Sequence, residues 1–197
     1  MKRHAVGAFY RWLSSWALAL RAPSDLGYSD AGFVLPSLRL HDEVLHLDAP
    51  MGDCLFPEMG VKGLSGRLVA RRTSLVDRVE AVKRLTSAHA SDQWLLWCGL
   101  NDEASSLTSA LNGAVNVEGS DSYTEKVGAV QAFVNGTVRI LVSKVKILGF
   151  GMNFQSCHKM AFVGLNDSFE GMFQAIRRCY RFGQIHPVDV YIILSSA

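Results

Sequence analysis

The sequence predicts an α/β domain whose mostly parallel sheet is covered by helices on both faces. Short apolar runs alternate with amphipathic stretches from residue 92 onward. The runs are continuous, as in strands that are buried on both faces. Apolar residues make up 49% of the chain and charged residues 19%, which excludes global disorder. The 197 residues allow one domain or two small ones, and we expect a division into 1–90 and 91–197.

The first element is predicted to be a buried helix. Apolar residues recur there at i, i+4, i+7 and i+11, which places them on one stripe. They are Phe9, Leu13, Trp16 and Leu20. Pro23 and Gly27 are expected to end the helix. A secretory signal is the alternative, because a basic head precedes the apolar run, but Arg11 interrupts that run. Arg11 and Arg21 bracket too few residues to span a bilayer, so no membrane partner is expected.

Residues 22–66 are predicted to form ordered loop with short elements. Four of the five prolines lie there, and strand or helix periodicity is weak. Gly60–Arg67 has several glycines but no lysine at the place that a phosphate loop requires, so we expect a flexible loop. Thr73 or Ser74 is predicted to cap a helix that continues to about Ser87 with one apolar face.

The second half is predicted to alternate strands with helices. Each predicted strand is a short apolar run bounded by polar or turn residues. The predicted strands are 94–98, 115–117, 138–142, 160–163 and 188–194, and the predicted helices are 102–111, 123–134 and 168–181. Ligands of such sheets bind at the carboxyl ends of the strands. The residues that follow strand 138–142 are therefore candidates for a site.

Charge is segregated along the chain. Residues 91–138 carry six acids against one base, whereas residues 139–181 carry seven bases against two acids. A second basic block spans 62–84. Such blocks favour contact with a polyanion, but solvated helix faces give the same pattern, and both interpretations stay open. The net charge of +2 is too small to indicate nucleic acid by itself.

The cysteines indicate neither a metal site nor a disulfide framework. The chain has four, at positions 54, 98, 157 and 179, and no pair has C-x-x-C spacing. We expect reduced thiols in a cytoplasmic protein. Cys157, Cys179 and His158 are predicted to be packing residues.

Two sets of residues are candidates for binding phosphate. Ser143, Lys144 and Lys146 follow a strand end, where ammonium groups and amides can meet an anion. Gly149 and Gly151 come next, but as a dinucleotide fingerprint they lack the third glycine. The second set lies on the predicted helix 168–181.

Gln174, Arg178 and Arg181 share one face of that predicted helix, and Arg177 lies on another face. No acid lies on the shared stripe, so the two guanidinium groups lack a local partner. Paired guanidinium groups are suited to phosphate oxygens, although an exposed basic face is the alternative.

These residues carry a resemblance to a known family. Gln174–Gln184 resembles the sixth motif of Swi/Snf-type superfamily 2 helicases, with the pattern Q-x-x-x-R-x-x-R-x-G-Q. Lys146–Phe154 resembles their fifth motif, a G-x-G-x-N core after a strand, and Trp94–Cys98 lies where their fourth-motif strand is expected. The closer likeness is to helicases of phages and prophages, which carry a stretch similar to Gly164–Glu170. The segment Trp12–Trp16 resembles part of the connection between the two motor lobes in that group.

The resemblance implies a RecA-like three-layer α/β/α lobe, preceded by a helical and irregular inter-lobe segment. It would be the second motor lobe of a nucleic-acid-dependent ATPase, a helicase or translocase. The implied partners are the N-terminal RecA-like lobe of the parent protein and nucleic acid, with DNA the expected kind. ATP with Mg²⁺ would bind only when that first lobe is present, because this sequence has no phosphate loop. The isolated chain is therefore not expected to hydrolyse ATP.

The resemblance also implies roles for single residues. Arg178 and Arg181 would be arginine fingers, which reach the γ-phosphate of ATP across the cleft between the two motor lobes. A second group would orient the arginines or the nucleotide, or couple the cleft to the nucleic-acid track: Gln174, Gln184, Gly149, Gly151 and Asn153. A third group would contact backbone phosphates: Ser143, Lys144 and Lys146.

Two other hypotheses stay open. The chain could be a nucleic-acid-binding or regulatory module in which the motifs are relics. It could also be a small nucleotide-binding α/β enzyme with its own site, which would need a phosphate loop or a catalytic acid pair that the sequence does not show.

Overall fold

The structure is a computed structural model that describes residues 3–46, 71–149, 151–164 and 168–196. The predicted loop Gly60–Arg67 lies outside the described residues, as does the first part of the basic block 62–84.

The chain divides into two compact units, Met1–Val34 and Leu35–Ala197. The sequence placed the boundary at residue 90. The structure divides the chain earlier because residues soon after Leu35 already form a strand of the sheet.

The described residues of the first unit form one α-helix, α1 (Val6–Leu13), and two 3₁₀ helices, at Arg3–Ala5 and Pro23–Leu26. The prediction of a single buried helix is wrong, because α1 ends at Leu13 and none of its residues is buried. The hydroxyl groups of Ser14 and Ser15 donate to the carbonyl oxygens three residues back and so close the last turn. Phe9 and Trp16 of the stripe instead pack against Trp12, which lies outside it, with ring centroids 6.0 and 5.1 Å apart.

The described residues of the second unit form a sheet of six parallel strands. They are β1 (Leu38–His46), β2 (Trp94–Cys98), β3 (Ala114–Val117), β4 (Ile140–Lys144), β5 (Lys159–Phe162) and β6 (Val188–Ser196). Their order across the sheet is β1-β6-β5-β2-β4-β3, and every pair of neighbours is parallel. All carboxyl ends therefore meet at one edge, which we call the carboxyl edge.

Helices cover both faces of this sheet. They are α2 (Leu75–Ala88), α3 (Asn101–Ala110), α4 (Tyr123–Val134), α5 (Val145–Leu148) and α6 (Phe169–Ile176). One core layer contains Val79 and Val82 of α2 with Leu107 of α3. The other contains Phe133 of α4 and Ala175 of α6. The three-layer α/β/α fold class predicted from the sequence is confirmed.

Strand β1 was not predicted, because residues 22–66 were expected to be loop. Charged and polar residues such as Arg39, Asp42 and Glu43 dilute its apolar pattern. Backbone pairing with β6 from Leu38 to His46 nevertheless makes it a full strand at the sheet edge. Long-range pairing of this kind leaves little local signal in the sequence.

Local signals placed other elements well. β2 and α4 have the predicted bounds, and Ser74 is the N-cap residue of α2. β4 begins and ends two residues later than predicted, so Ser143 and Lys144 belong to the strand. Within the described residues, no helix has the length and apolar character needed to cross a bilayer.

Candidate functional site

The predicted phosphate contacts near the end of β4 differ in accessibility. Ser143 is fully buried, and its hydroxyl group donates to the carbonyl of Val117 at 2.9 Å. A side chain enclosed in the sheet cannot reach a phosphate, so the structure contradicts this predicted contact. Lys144 is partly exposed, and its ammonium group donates to Oδ1 of Asn101. Lys146 is exposed on α5. The two lysines remain candidates.

The predicted glycines of the fifth motif shape the backbone. Gly149 is buried at the end of α5, and its amide donates to the carbonyl of Val145 at 2.8 Å. A Cβ at Gly149 would collide with that carbonyl, so glycine is required there for packing, and its amide is not offered to a ligand. Gly151 has a φ of 77°, which favours glycine. The exposed Asn153 accepts a hydrogen bond from the amide of Gln155 at 3.2 Å, which bends the loop.

The helix of the sixth motif is shorter than predicted. Ser168 caps α6 by accepting a hydrogen bond from the amide of Gly171 at 3.0 Å, and the helix ends at Ile176. Residues 177–184 then form consecutive tight turns, which we call the arginine turn. Arg178 and Arg181 lie in this turn, so the expectation that they share a helical face with Gln174 is wrong.

Arg178 is bound to its own chain by three hydrogen bonds. Its Nε and Nη2 donate to the backbone and side-chain oxygens of Gln174, both at 3.0 Å. Its Nη1 donates to the carbonyl of Met152 at 3.2 Å. Gln174 therefore contacts and orients Arg178, and Arg178 connects the arginine turn to the loop of the fifth motif. Burial and the charge of Arg181 lower the pKa of Arg178.

Arg181 lacks such partners. Its Nε is buried and has no hydrogen-bond acceptor among the described residues. No ion pair joins Arg178 or Arg181 to an acid in the described part of the chain. An unsatisfied buried donor costs about 1–3 kcal/mol. The indole Nε1 atoms of Trp94 and Trp97 in the core are also unsatisfied, but Arg181 differs from them in carrying a charge and in being partly exposed. The arrangement suits an anion from outside the chain.

Gln184 was predicted to orient the arginines or the nucleotide. In the structure, backbone groups of the chain use every hydrogen-bonding position of its side-chain amide. The side chain is buried. Its Nε2 donates to carbonyls and its Oε1 accepts from backbone amides; the partners are the carbonyls of Gln155 (3.0 Å), Cys157 (3.0 Å) and Cys179 (3.3 Å) and the amides of Ile185 (3.0 Å) and His186 (2.9 Å). Gln184 has no capacity left for a nucleotide. It fixes the arginine turn to the loop of the fifth motif.

A second group of arginines lies near the carboxyl ends of β2 and β5. Arg71, Arg78 and Glu103 form what we call the buried clamp. Arg78 is 3% exposed and Glu103 is 0% exposed. Glu103 contacts Nη1 of Arg78 at 2.7 Å and Nη2 of Arg71 at 3.0 Å. A Cβ at Gly99 or Gly164 would collide with the guanidinium group of Arg71, so both glycines make room for the clamp.

Arg78 of the clamp and two backbone amides together favour the ionised form of Glu103. Burial alone would raise the pKa of Glu103, but hydrogen bonds from the amides of Gly99 and Leu100 and the charge of Arg78 outweigh burial and lower the pKa. Those amides lie 2.7 and 3.0 Å from Oε2. Arg78 also donates to the carbonyls of Val163 and Arg71. The clamp therefore attaches the start of α2 to the carboxyl edge.

The carboxyl edge also holds a cleft of about 240 Å³ between the ends of β3 and β4, which we call the edge cleft. Its lining residues are Asn101, Ala104, Asn116, Val117, Glu118, Gly119, Lys144 and Ile147. Of these, the sequence analysis singled out Lys144 as a binding residue. The positions of the strands could have identified Asn101 and Glu118 as further candidates. These residues follow the ends of β2 and β3 and so lie at the same edge as Lys144.

The parallel sheet, the helices on both of its faces and the polar cleft at its carboxyl edge are the features of a RecA-like α/β domain. The chain belongs to the helicase conserved C-terminal domain family, whose profile matches residues 77–183, just over half of the chain. The match contains α2 from Asp77 onward, the edge cleft, and the arginine turn up to Gly183. The sequence-based assignment to a helicase lobe is confirmed at the level of this family.

Solved structures agree on the fold. The chain is similar to the structure titled "Crystal structure of the C-terminal part of Fun30 ATPase domain", with a TM-score of 0.56 and 17% sequence identity. The match covers 60% of this chain and 41% of that chain. This chain thus corresponds to less than half of that solved structure, and at such identity the likeness concerns the fold alone. No curated protein sequence matches the chain.

Proposed function

We propose that this chain acts as the second motor lobe of a nucleic-acid-dependent ATPase, a helicase or translocase of the Swi/Snf type. The observation that carries the proposal is the buried Nε of Arg181, which has no partner among the described residues. Arg181 is partly buried and has no acid partner among the described residues, whereas the buried Arg78 is paired with Glu103. The family match supports a helicase motor.

In this proposal, Arg181 donates hydrogen bonds to phosphate oxygens of ATP held by another lobe. A planar guanidinium can form two parallel bonds to such oxygens and stabilise the charge of the transition state. Magnesium and the phosphate loop belong to that other lobe, since this sequence contains no G-x-x-x-x-G-K-[ST]. Arg178 positions the turn, because its three hydrogen bonds hold α6 against the loop at Met152.

Nucleic acid is proposed to follow the carboxyl edge, where Lys144 and Lys146 would contact backbone phosphates. Such contacts are independent of sequence and weaken as salt is added. The proposal further takes the nucleic acid to be DNA and the motor to be similar to phage helicases. It also places the protein in the cytoplasm. The location is supported by free thiols at Cys98, Cys157 and Cys179.

The experiment joins this chain to a first lobe of the same family that carries the phosphate loop and the magnesium acids. We expect ATP hydrolysis that nucleic acid stimulates, and a loss of about 10³–10⁵-fold in the Arg181→Ala variant. The Arg177→Ala variant is the control, because Arg177 stacks over the rings of Phe173 and Tyr180, at 5.9 and 5.7 Å from their centroids. Turnover by this chain alone that depends on Arg181 would contradict the proposal and favour a self-contained nucleotide enzyme.

A further inference from the structure

The edge cleft is lined by apolar residues and by polar residues that carry both charges. Ala104, Val117 and Ile147 supply apolar surface, while Glu118 and Lys144 supply opposite charges. Small-molecule sites commonly combine an apolar lining with a few convergent polar groups. The volume of about 240 Å³ lies just below the range for drug-sized ligands, which suits a single ring system.

Glu118 is held in place at the cleft before any ligand arrives. Its Oε1 accepts a hydrogen bond from Nδ2 of Asn116 at 2.7 Å. Its backbone amide donates to Oδ2 of Asp121 at 2.7 Å, and Lys126 Nζ donates to the carbonyl of Gly119 at 2.7 Å. These bonds fix the turn between β3 and α4. A side chain held in this way does not need to be ordered on binding.

The carboxylate of Glu118 has acceptor capacity left. An ionised carboxylate offers about four lone-pair sites. Asn116 takes one, and the hydroxyl of Ser120, at 3.5 Å from Oε2, takes at most one more. Glu118 can therefore accept a further hydrogen bond from a donor inside the cleft.

A carboxylate in the cleft is unfavourable for a site that binds only phosphate, because like charges repel. The surrounding segment adds to the repulsion, since residues 91–138 carry six acids against one base. A neutral ring that offers an amino donor to Glu118 and an acceptor to Lys144 satisfies both charges. Cytosine and adenine have this pattern, and Glu is a known partner of the cytosine amino group.

We propose that the edge cleft binds one nucleobase of the nucleic-acid strand, a base that carries an exocyclic amino group. Glu118 accepts from the amino group. The ammonium group of Lys144 has three N–H donors, so besides its bond to Asn101 it can donate to the adjacent ring acceptor as well as to a backbone phosphate. This inference rests on the proposed nucleic-acid function for the presence of the strand. It adds a base preference to a track whose phosphate contacts carry none.

The test compares binding of the full chain to single-stranded oligodeoxycytidylate and oligothymidylate of equal length, by fluorescence anisotropy at neutral pH and low salt. The two strands have the same backbone. Thymine has a carbonyl where cytosine has the amino group and a ring N–H where cytosine has an acceptor, and it carries an additional methyl group. We expect the cytidylate to bind at least about fivefold tighter, the lower end of what one correct contact discriminates. The Glu118→Gln variant should bring the two affinities together by weakening the cytidylate alone.

Asp102→Asn is the matched control, because it removes the same charge from an exposed residue that does not line the cleft. This variant should keep the cytidylate preference. Equal affinity of the unchanged chain for both strands would overturn the base site and leave the proposed function standing. Equal tightening of both strands by Glu118→Gln would also overturn the base site, because Glu118 would then act only by repelling phosphate. Binding of neither strand would overturn the nucleic-acid function together with the base site.

Discussion

The molecule holds two groups of arginines, and their surroundings differ. In the buried clamp, Arg78 is almost fully buried and contacts the carboxylate of Glu103 at 2.7 Å. In the arginine turn, Arg178 bonds only neutral oxygens among the described residues, and Arg181 leaves Nε unsatisfied. The clamp pairs its arginines with Glu103, whereas no acid pairs with the arginines of the turn within the described residues.

This difference separates a structural role from a functional one. Glu103 satisfies the clamp and thereby fixes α2 to the carboxyl edge, so the clamp contributes to folding. The turn has two neighbouring guanidinium groups that repel each other. Burial and the charge of Arg181 both lower the pKa of Arg178. Stability measurements should therefore respond to the clamp, and turnover should respond to Arg181.

The largest change in stability is expected from Glu103→Gln. The substitution leaves Arg78 charged and buried without its counter-ion, and breaking a buried pair in this way costs about 3–5 kcal/mol. The free energy of unfolding in urea measures the loss. The exposed Asp102→Asn variant, one residue away, should change stability by less than about 0.5 kcal/mol. Equal effects of the two substitutions would show that the clamp is not a stabilising unit.

A smaller loss is expected from Gln184→Ala. The substitution leaves the carbonyls of Cys157 and Cys179 without their donor and the amides of Ile185 and His186 without their acceptor. We expect a loss of about 2–3 kcal/mol in the free energy of unfolding. Gln184→Glu tests the same point, since it keeps the acceptor and removes the donor. A wild-type stability for both variants would contradict the role of Gln184 as the connection between the two motif loops.

The pH dependence of stability offers a third test of the clamp. The pKa of Glu103 is lower in the folded chain than its ordinary value of 4.5. Its contribution is therefore present above that value and is lost as the pH falls toward the folded pKa. One proton of difference changes the free energy of unfolding by about 1.4 kcal/mol per pH unit. Urea titrations below pH 4.5 should show a shallower decline for Glu103→Gln than for the unchanged chain.

The smallest change in stability is expected from Arg181→Met. The substitution removes an unpaired donor and the repulsion with Arg178, so the free energy of unfolding should stay within about 0.5 kcal/mol or rise slightly. Arg78→Met leaves Glu103 short of one partner and should be clearly less stable. The same urea measurements decide the matter. A large loss in Arg181→Met would mean that Arg181 has a structural role like that of Arg78.

The fold could be predicted largely from local patterns, because buried parallel strands are short continuous apolar runs and helix caps have recognisable residues. Trp94–Cys98 and the N-cap at Ser74 are examples. β1 escaped prediction because pairing with β6 stabilises it, and charged residues hide its pattern. The basic block 62–84 indicated polyanion contact, yet Arg78 is buried against an acid 25 residues away.

The site could be predicted less well than the fold, for reasons of geometry. Residue type and spacing identified Arg178, Arg181 and Lys144. They did not reveal that α6 ends at Ile176 or that the amide of Gln184 is fully occupied, because both depend on contacts with the loop at residues 152–157. The edge cleft depends on three strand ends that meet only in the folded sheet.

The most direct test of the account is the ATP turnover of Arg181→Lys in the protein joined to a first lobe, at saturating ATP and nucleic acid. Lysine keeps the positive charge but cannot form the planar two-pronged contact with phosphate oxygens. The account predicts that Arg181→Lys is nearly as slow as Arg181→Ala, while both variants unfold at the urea concentration of the unchanged protein. Near-normal turnover by Arg181→Lys, or a slower rate for Arg177→Ala than for either, would contradict the assignment of Arg181.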